Sequence, residues 1–275
     1  MKRLLFFLLS VIVVINGYSQ VAVDSILYRF VYDAQLKEVK DQVQLRPDEH
    51  CLEIGCHGVS KYYSRWKAKR KEIVDSINAI GGSYTDIIRE NQSQGAESSS
   101  FIYEIIKNYP KNGEQTINLF SIQNLQYTEK AGMEWIVEEG DTIIMNHPCS
   151  KASTDYHGRI WTAWYALDIP IADGPWKLCG LPGLILHASD TNGEYIFNCI
   201  GIEQVDKTPM TMYNKRITKI EAKKAHKTIE AMENDPIGYM NMTGKKVKMT
   251  IMDKNGRVIS DMPKIDNRVF IETYH

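Results

Sequence analysis

Short segments in which apolar and polar residues alternate recur along most of the chain, and this feature most restricts the possible fold. Between residues 26 and 32 every even position carries an apolar or aromatic side chain, and Arg29 and Asp33 are among the residues at odd positions. A period of two places successive side chains on opposite faces of a strand. Hairpin-type turns separate many of these segments, and the clearest are Asn112-Gly113, Gly140-Asp141, Asn192-Gly193 and Asn255-Gly256. The pattern therefore predicts an antiparallel sheet.

Strands greatly outnumber helices in this prediction. Two segments alone have helical periodicity, residues 64–80 and residues 216–233, and the polar residues 91–100 are predicted to be a loop. The predicted strands lie at 101–106, 116–122, 133–137, 142–145, 160–167, 184–188, 194–202 and, as a last hairpin, 247–260. We expect a mainly β (β-rich α+β) fold: a curved antiparallel sheet with two helices packed on or beside it. With no repeat or linker, residues 21–275 are expected to form a single domain.

The charge balance and the mean hydropathy each argue against one class of protein. The chain has 33 Lys and Arg against 34 Asp and Glu, which gives a net charge of −1. Nucleic-acid-binding proteins usually carry a basic surplus, so no nucleic acid is expected. A mean hydropathy of −0.33 argues against an integral membrane protein.

The first residues have the pattern of a secretory signal peptide. Lys2 and Arg3 precede an apolar run to Ile15 that only Ser10 interrupts, and the chain then turns polar up to Gln20. This order predicts a signal peptide over residues 1–20 and export to the periplasm or the medium. No cysteine lies near the cleavage point, so a lipid anchor is not expected.

Export makes disulfide bonds possible between the cysteines. Cys51 and Cys56 flank a tight loop, and Cys149 and Cys179 flank a dense segment, so these four are the disulfide candidates. Cys199 lies in a strand-like run and is expected to be a buried thiol.

The densest segment covers residues 147–190 and contains Lys-Ala, Gly-Arg, Ala-Trp-Tyr, Ile-Pro and Gly-Pro-Trp before the hexapeptide Gly180-Leu-Pro-Gly-Leu-Ile185. This segment resembles the GLPGLI family of exported Bacteroidetes proteins, over about 45 residues. The family has no established biochemical activity. The resemblance implies an envelope or secreted location and little else.

Most of the family motif is expected to be structural. Pro182-Gly183 suits the centre of a type II turn, in which the glycine has a positive φ, and Gly180 suits a close approach of two chains. Arg159 is expected to bond turn carbonyls or to pair with Asp173. A loop that contacts a ligand or partner is the alternative. The motif residues are Arg159, Gly174, Pro175, Gly180, Leu181, Pro182, Gly183, Leu184 and Ile185.

Four aromatic residues close to one another in sequence are the candidate binding residues. Trp161, Trp164, Tyr165 and Trp176 are predicted to line a face that binds a lipid, a glycan or an apolar peptide. The alternative is that these rings pack in the core.

Signals for catalysis are weak. Histidine stands beside or near cysteine at three places, but without the spacing of a known metal finger, so no metal and no cofactor are expected. No nucleophile motif is present, and no catalytic residue is assigned. Four acidic residues surround the aromatic segment, and they leave a hydrolase open: Asp155, Asp168, Asp173 and Asp190.

Three functions remain after this reasoning. The first is an exported envelope protein that binds a ligand or partner, such as an envelope protein, a lipid or a glycan, through the aromatic-lined face. The second is a hydrolase that acts on envelope or host polymers. The third is a structural or assembly factor for outer-membrane machinery.

Overall fold

Antiparallel strands dominate the structure, and the predicted mainly β fold is confirmed. A computed structural model describes residues 20–213, 216–244, 250–252, 258–261 and 267–273. The predicted signal peptide lies outside these residues, except for Gln20. No helix among the described residues has the length and apolar character needed to cross a membrane.

The elements follow one another along the chain in the following order. The strands are β1 (Gln20–Leu36), β2 (Arg46–Gly55), β3 (Ser60–Ser64), β4 (Tyr103–Lys107), β5 (Glu114–Phe120), β6 (Asn124–Lys130), β7 (Ile136–Ile144), β8 (His147–Tyr156), β9 (Arg159–Ala166), β10 (Leu184–Asp190), β11 (Tyr195–Gln204), β12 (Pro209–Tyr213), β13 (Ile217–Lys219), β14 (Thr250–Met252) and β15 (Val258–Asp261). The helices are α1 (Arg65–Ala79), α2 (Tyr84–Ser93), α3 (Ala222–Asn234) and α4 (Pro236–Met242).

One large sheet contains all of the described strands except β14 and β15, which pair with each other. The order across the sheet is β13-β6-β5-β4-β3-β2-β1-β11-β10-β9-β8-β7, and β12 pairs with the first half of β1. All pairs are antiparallel apart from β13 with β6. Hairpins between neighbouring strands therefore account for most of the sheet, as Asn112-Gly113 and Asn192-Gly193 predict. The turn predicted at Gly140-Asp141 is wrong, because these residues lie within β7 at a shift of its register with β8.

The sheet curves strongly, so that distant strands meet across its inner face. Glu129 on β6 lies 3.2 Å from His157, in the turn between β8 and β9. In sheet order, β5, β4, β3, β2, β1, β11 and β10 all lie between β6 and β9. The inner face is consequently concave.

Apolar side chains from successive strands cover this inner face. Leu52, Tyr62, Ile105 and Ile117 are register neighbours on β2, β3, β4 and β5, and all four are fully buried. The residues between β9 and β10 and the apolar side of α3 fill the concavity above them. Burial of this surface drives folding, because removal of apolar area from water is its dominant favourable contribution.

The outer face carries charged residues and is covered in part by α1 and β12. Arg29, Glu53 and Lys61 are neighbours on β1, β2 and β3. α1 begins after Ser64, whose hydroxyl accepts a hydrogen bond from the amide of Lys67. β12 covers another part of the same outer face, where the ammonium of Lys61 donates a hydrogen bond to the carbonyl of Thr211.

Three helical details differ from the sequence prediction. Part of the predicted loop 91–100 belongs to α2, which begins at a capping box between Ser83 and Asp86. α3 begins at Ala222 rather than at residue 216, since residues 217–219 pair with β6 instead. Most of the predicted hairpin 247–260 lies outside the described residues.

Residues 267–273 form an extended segment, called here the 267–273 segment, that crosses the end of the sheet. The amide of Val269 donates to the carbonyl of Glu38 at 2.9 Å, and the amide of Thr273 donates to the carbonyl of His157 at 3.0 Å. The segment thereby joins the region after β1 to the turn between β8 and β9.

Candidate functional site

The four predicted aromatic residues do not share one surface. Trp161 and Trp176 are fully buried, with ring centroids 5.2 Å apart, and Tyr165 is also buried. Trp164 points to the outer face, because neighbouring residues of β9 alternate between the two faces. These rings therefore pack in or against the core and do not line an open face.

Two glycines of the hexapeptide have roles that differ from the prediction. Gly180 has the positive φ, +93°, whereas Gly183 does not have one. A Cβ on Gly183 would lie 2.1 Å from the carbonyl oxygen of Ala166. The close approach thus belongs to Gly183, and the predicted type II turn with Gly183 in the left-handed region is wrong.

The remaining motif residues hold the segment before β10 against the sheet. A Cβ on Gly174 would lie 2.7 Å from the Cβ of Ile185, so this turn packs directly on β10. Pro175 accepts a hydrogen bond from the amide of Leu178 through its carbonyl. Three leucines and an isoleucine from this region are buried: Leu181, Leu184, Ile185 and Leu186. Pro182 is exposed at the bend between them.

Asp173 pairs with a lysine that the sequence prediction missed. Lys107 Nζ lies 2.5 Å from Asp173 Oδ1 and also donates to the carbonyls of Gly174 and Leu178. Ser60 donates to the other carboxylate oxygen of Asp173. A buried lysine with three acceptors is well satisfied, and it fixes the loop between β9 and β10 on β3 and β4.

Arg159 binds the 267–273 segment rather than Asp173. Its guanidinium donates to the carbonyls of Phe270 at 2.7 Å and Ile271 at 3.1 Å. The same group pairs with Asp190 at 2.6 Å and with Glu194 at 2.8 Å.

The four acidic residues of the hydrolase alternative do not converge. Asp173 and Asp190 are buried in the ion pairs described above, and Asp168 pairs with His147 at 2.7 Å. Asp155 is exposed on β8. A pair of catalytic carboxylates needs both groups at one substrate bond, and this set does not provide that arrangement.

All five cysteines are free thiols, so neither predicted disulfide is present. Cys51 lies within β2, and Cys56 follows that strand. A strand advances about 3.3 Å per residue, which separates these two residues by more than a disulfide spans. Cys149 lies on β8 beside Ala166, whereas Cys179 contacts Gln115 on β5.

Burial makes the thiols of Cys51, Cys179 and Cys199 weak nucleophiles. It raises the pKa of Cys51 to about 12 and the pKa of Cys179 and Cys199 to about 11. Among the described residues, no group of three or more histidine, cysteine or acidic side chains is arranged to hold a metal ion.

A buried ionic cluster joins the 267–273 segment to the core, and we call it the Lys177 cluster. Lys177 is fully buried, and its Nζ lies 2.7 Å from both Glu129 Oε1 and Glu272 Oε2 and 2.8 Å from the hydroxyl of Tyr127. His226 lies 3.0 Å from the same oxygen of Glu272. Among the described residues the cluster consists of Lys177, Glu129, Glu272, Tyr127, His157 and His226.

Lysine and histidine hold both carboxyls of this cluster in the charged form. Burial by itself would raise the pKa of Glu272, but Lys177 and His226 outweigh it and hold that pKa well below its usual range. Burial by itself would also raise the pKa of Glu129, but Lys177 and His157 lower it, and the pKa of Glu129 is lowered overall. The cluster lies inside the molecule, so it serves to hold segments together rather than to receive a ligand.

A groove opens on the outer face of the described structure, and we call it the α1–β12 groove. It has a volume of about 530 Å³. One wall is α1, with Lys67, Ala68 and Lys71, and the opposite wall is the chain at β12. The strands between the walls form the floor. Ligand sites in proteins have volumes in this range.

Charged side chains on the groove floor are paired with each other. Arg29 lies 2.8 Å from Glu53, and Lys61 lies 3.1 Å from Glu104. The hydroxyl of Tyr63 donates to Glu53 at 2.8 Å. These pairs satisfy one another without a ligand, and they give the floor a fixed polar surface.

Aromatic rings line part of the same groove. Phe120 and Tyr213 meet edge to face, with ring centroids 5.4 Å apart, and Tyr63 lies on the floor. The ammonium of Lys71 lies 4.8 Å from the centre of the Tyr213 ring. This contact joins the two walls at one point along the groove.

Lys67 differs from the other cations of the groove. Its Nζ donates to the carbonyl of Phe120 at 3.0 Å. Burial lowers the pKa of Lys67 to about 8, although Glu233 and Asp48 act in the opposite direction. At neutral pH most of the population therefore still carries the charge.

Sequence reasoning did not find this groove, because its residues come from β1–β6, α1 and the chain at β12. Lys67 belongs to a run of basic residues that has the appearance of an ordinary solvated helix face. The one available signal was the helix start at Ser64, which places Lys67 in the first turn of α1. Only the packing of α1 on the sheet shows that this side chain lines a groove.

The central part of the chain matches the model of one known family. A family described as "Protein of unknown function (Porph_ging)", which is the GLPGLI family, matches residues 62–187. No curated protein matches the chain significantly.

Two solved structures of PNGF-II, in crystals of space groups P21 and C2, are similar to this chain. The TM-scores are 0.48 and 0.47, the sequence identity is 14% in each case, and 82% and 85% of this chain are covered. The alignments cover 34% of those chains, so the present chain spans about a third of their length. The family model thus matches the part of this chain from β3 to β10, which includes the hexapeptide at Gly180–Ile185.

Proposed function

We propose that this protein is an exported binding protein that takes a ligand in the α1–β12 groove. The observation that carries the proposal is the groove itself, with a volume of about 530 Å³ and a lining of aromatic rings and polar groups. A concave site of this size, with a few fixed polar groups, is typical of small-molecule sites. Export rests on the signal-peptide pattern of residues 1–20.

The aromatic contacts of this site differ from those that the sequence suggested. Tyr63, Phe120 and Tyr213 line the groove, whereas Trp161 and Trp176 are in the core. A tyrosine ring offers an apolar surface beside a hydroxyl, which suits a ligand with both ring and polar groups.

A tryptophan placed in the groove tests the proposal. Ala68 lines the groove on α1, and Ala68→Trp fills part of it. Lys69 is the next residue of the helix and is exposed outside the groove, so Lys69→Trp is the matched control. Each protein is recovered from the cell envelope and weighed under native and denaturing conditions.

We expect extra native mass in the unchanged protein and in Lys69→Trp, and its loss in Ala68→Trp. A ligand mass that persists in Ala68→Trp would place the site elsewhere. The mass of the bare chain in all three proteins would count against tight binding of a small ligand.

A further inference from the structure

The cations that line the α1–β12 groove are not equivalent. Among the described residues, four cations line the groove. Three of them have a carboxylate partner, whereas Lys67 has no carboxylate within ion-pair distance. The pairs are Arg29 with Glu53 and Glu203, Lys61 with Glu104, and Lys71 with Asp75. Lys67 is thus the one lining cation of the described groove that is left for an outside anion.

A single carbonyl does not satisfy a buried ammonium. The ammonium group of Lys67 has three donors, and the carbonyl of Phe120 accepts one of them. A buried charge with no carboxylate in direct contact is costly, and an anion at this position would reduce that cost. At neutral pH the group is still mostly protonated, as its pKa of about 8 requires.

The neighbours of Lys67 indicate what lies next to such an anion. Its hydrogen bond to the backbone carbonyl of Phe120 places the ammonium at the residue whose ring meets that of Tyr213. Ala68 adds an apolar wall on α1. A ring close to the acid group of a ligand would contact these apolar surfaces while the acid group reaches Nζ.

We infer that the ligand of the α1–β12 groove is a small acid whose acid group binds Nζ of Lys67 and whose ring contacts Phe120 and Tyr213. This inference rests on the proposed binding function and specifies the ligand class. The groove volume of about 530 Å³ fits one or two rings rather than a folded partner. Both an acidic sugar and an aromatic amino acid with a free carboxylate have the required chemistry.

Two matched pairs of probes test the inference and distinguish the two sources. The first pair is 4-nitrophenyl glucuronide and 4-nitrophenyl glucoside, which differ in the carboxylate of the sugar. The second pair is N-acetyltyrosine and N-acetyltyrosinamide. Binding of all four to the purified full chain is measured by titration calorimetry.

We expect the acid of at least one pair to bind about tenfold more tightly than its neutral partner, which is the size of one charge-assisted hydrogen bond. Lys67→Gln should remove this preference and leave the neutral probe unchanged, since the amide still donates to the carbonyl of Phe120. Lys67→Arg keeps the charge and should keep the preference. Lys69→Gln changes an exposed lysine of the same helix outside the groove and should also keep it.

Different failures overturn different statements. Equal binding of acid and neutral probes, or an acid preference that survives Lys67→Gln in a protein with the wild-type thermal midpoint, would overturn the inference while the groove remains a binding site. If Ala68→Trp also retains the binding of these probes, the groove itself is not the site. If the folded protein binds none of the four probes, both the inference and its proposed ligand class are overturned.

Discussion

Gly183 has no room for a side chain, and this follows from the way the hexapeptide meets β9. A Cβ there would lie 2.1 Å from the carbonyl oxygen of Ala166 and 3.1 Å from the Cα of Leu167. Both atoms belong to the backbone at the end of β9, so neither moves away without distortion of that strand. The glycine thus permits Leu184 and Ile185 to enter the core directly after the bend.

Gly183→Ala should lower the free energy of unfolding by about 3 kcal/mol, a value typical of overpacking against backbone. Gly132→Ala is the control, because Gly132 is exposed, lacks a positive φ and has its nearest neighbour atom 3.9 Å from the added Cβ. Urea unfolding measures both. Equal losses in the two variants would show that the close approach to Ala166 does not limit this position.

The 267–273 segment depends on a few polar contacts for its position. Arg159 binds two of its carbonyls, and Lys177 pairs with Glu272 inside the molecule. A buried ion pair stabilises only while both partners are charged and present. The segment is therefore an element whose attachment depends on the ionisation of Glu129 and Glu272.

Acid should weaken this attachment. The pKa of Glu129 and the pKa of Glu272 are both lower in the folded protein than in the unfolded chain. The folded state then binds fewer protons, so these carboxyls stabilise the fold at neutral pH and this contribution is lost as the pH falls below about 4.

We expect the free energy of unfolding to fall between about pH 5 and pH 3, and to fall less steeply in Glu272→Gln. Glu139→Gln changes an exposed residue of β7 and should keep the wild-type slope. Urea unfolding at a series of pH values measures the slopes. The same slope in Glu272→Gln and the unchanged protein would contradict the assignment to this cluster.

The whole molecule is held together by its curved sheet and core, without a covalent link between cysteines. Strands far apart in sheet order meet through Glu129 and His157, and the segment between β9 and β10 fills the concavity. Lys107 and Arg159 attach that segment and the 267–273 segment to the sheet. Stability should therefore be independent of the redox state of the five thiols.

A reducing agent should leave the thermal midpoint unchanged, because no disulfide restricts the unfolded chain. The denatured but unreduced protein should take up five equivalents of an alkylating reagent, one for each free cysteine. Intact mass counts the additions. A midpoint that falls on reduction, with fewer than five additions, would show that a disulfide forms in the exported protein.

The sequence by itself determined the fold class and much of the strand order. Alternation with period two and turns such as Asn192-Gly193 are local signals, and they correctly predicted the antiparallel hairpins. β8 was missed, since residues 147–156 are polar and do not alternate clearly. Helix α2 was missed as well, although Ser83 and Asp86 have the spacing of a capping box.

Only the tertiary structure decided which residues lie together at a site. Trp161 and Trp176 are of a residue type common in binding sites, but both are buried. Trp161 lies on the inner face of β9, and Trp176, in the segment between β9 and β10, packs against it. Lys67 has the appearance of a solvated lysine and yet lines a groove, because α1 packs on the outer face beside β12. Contacts of this kind join residues far apart in the chain, and no local pattern records them.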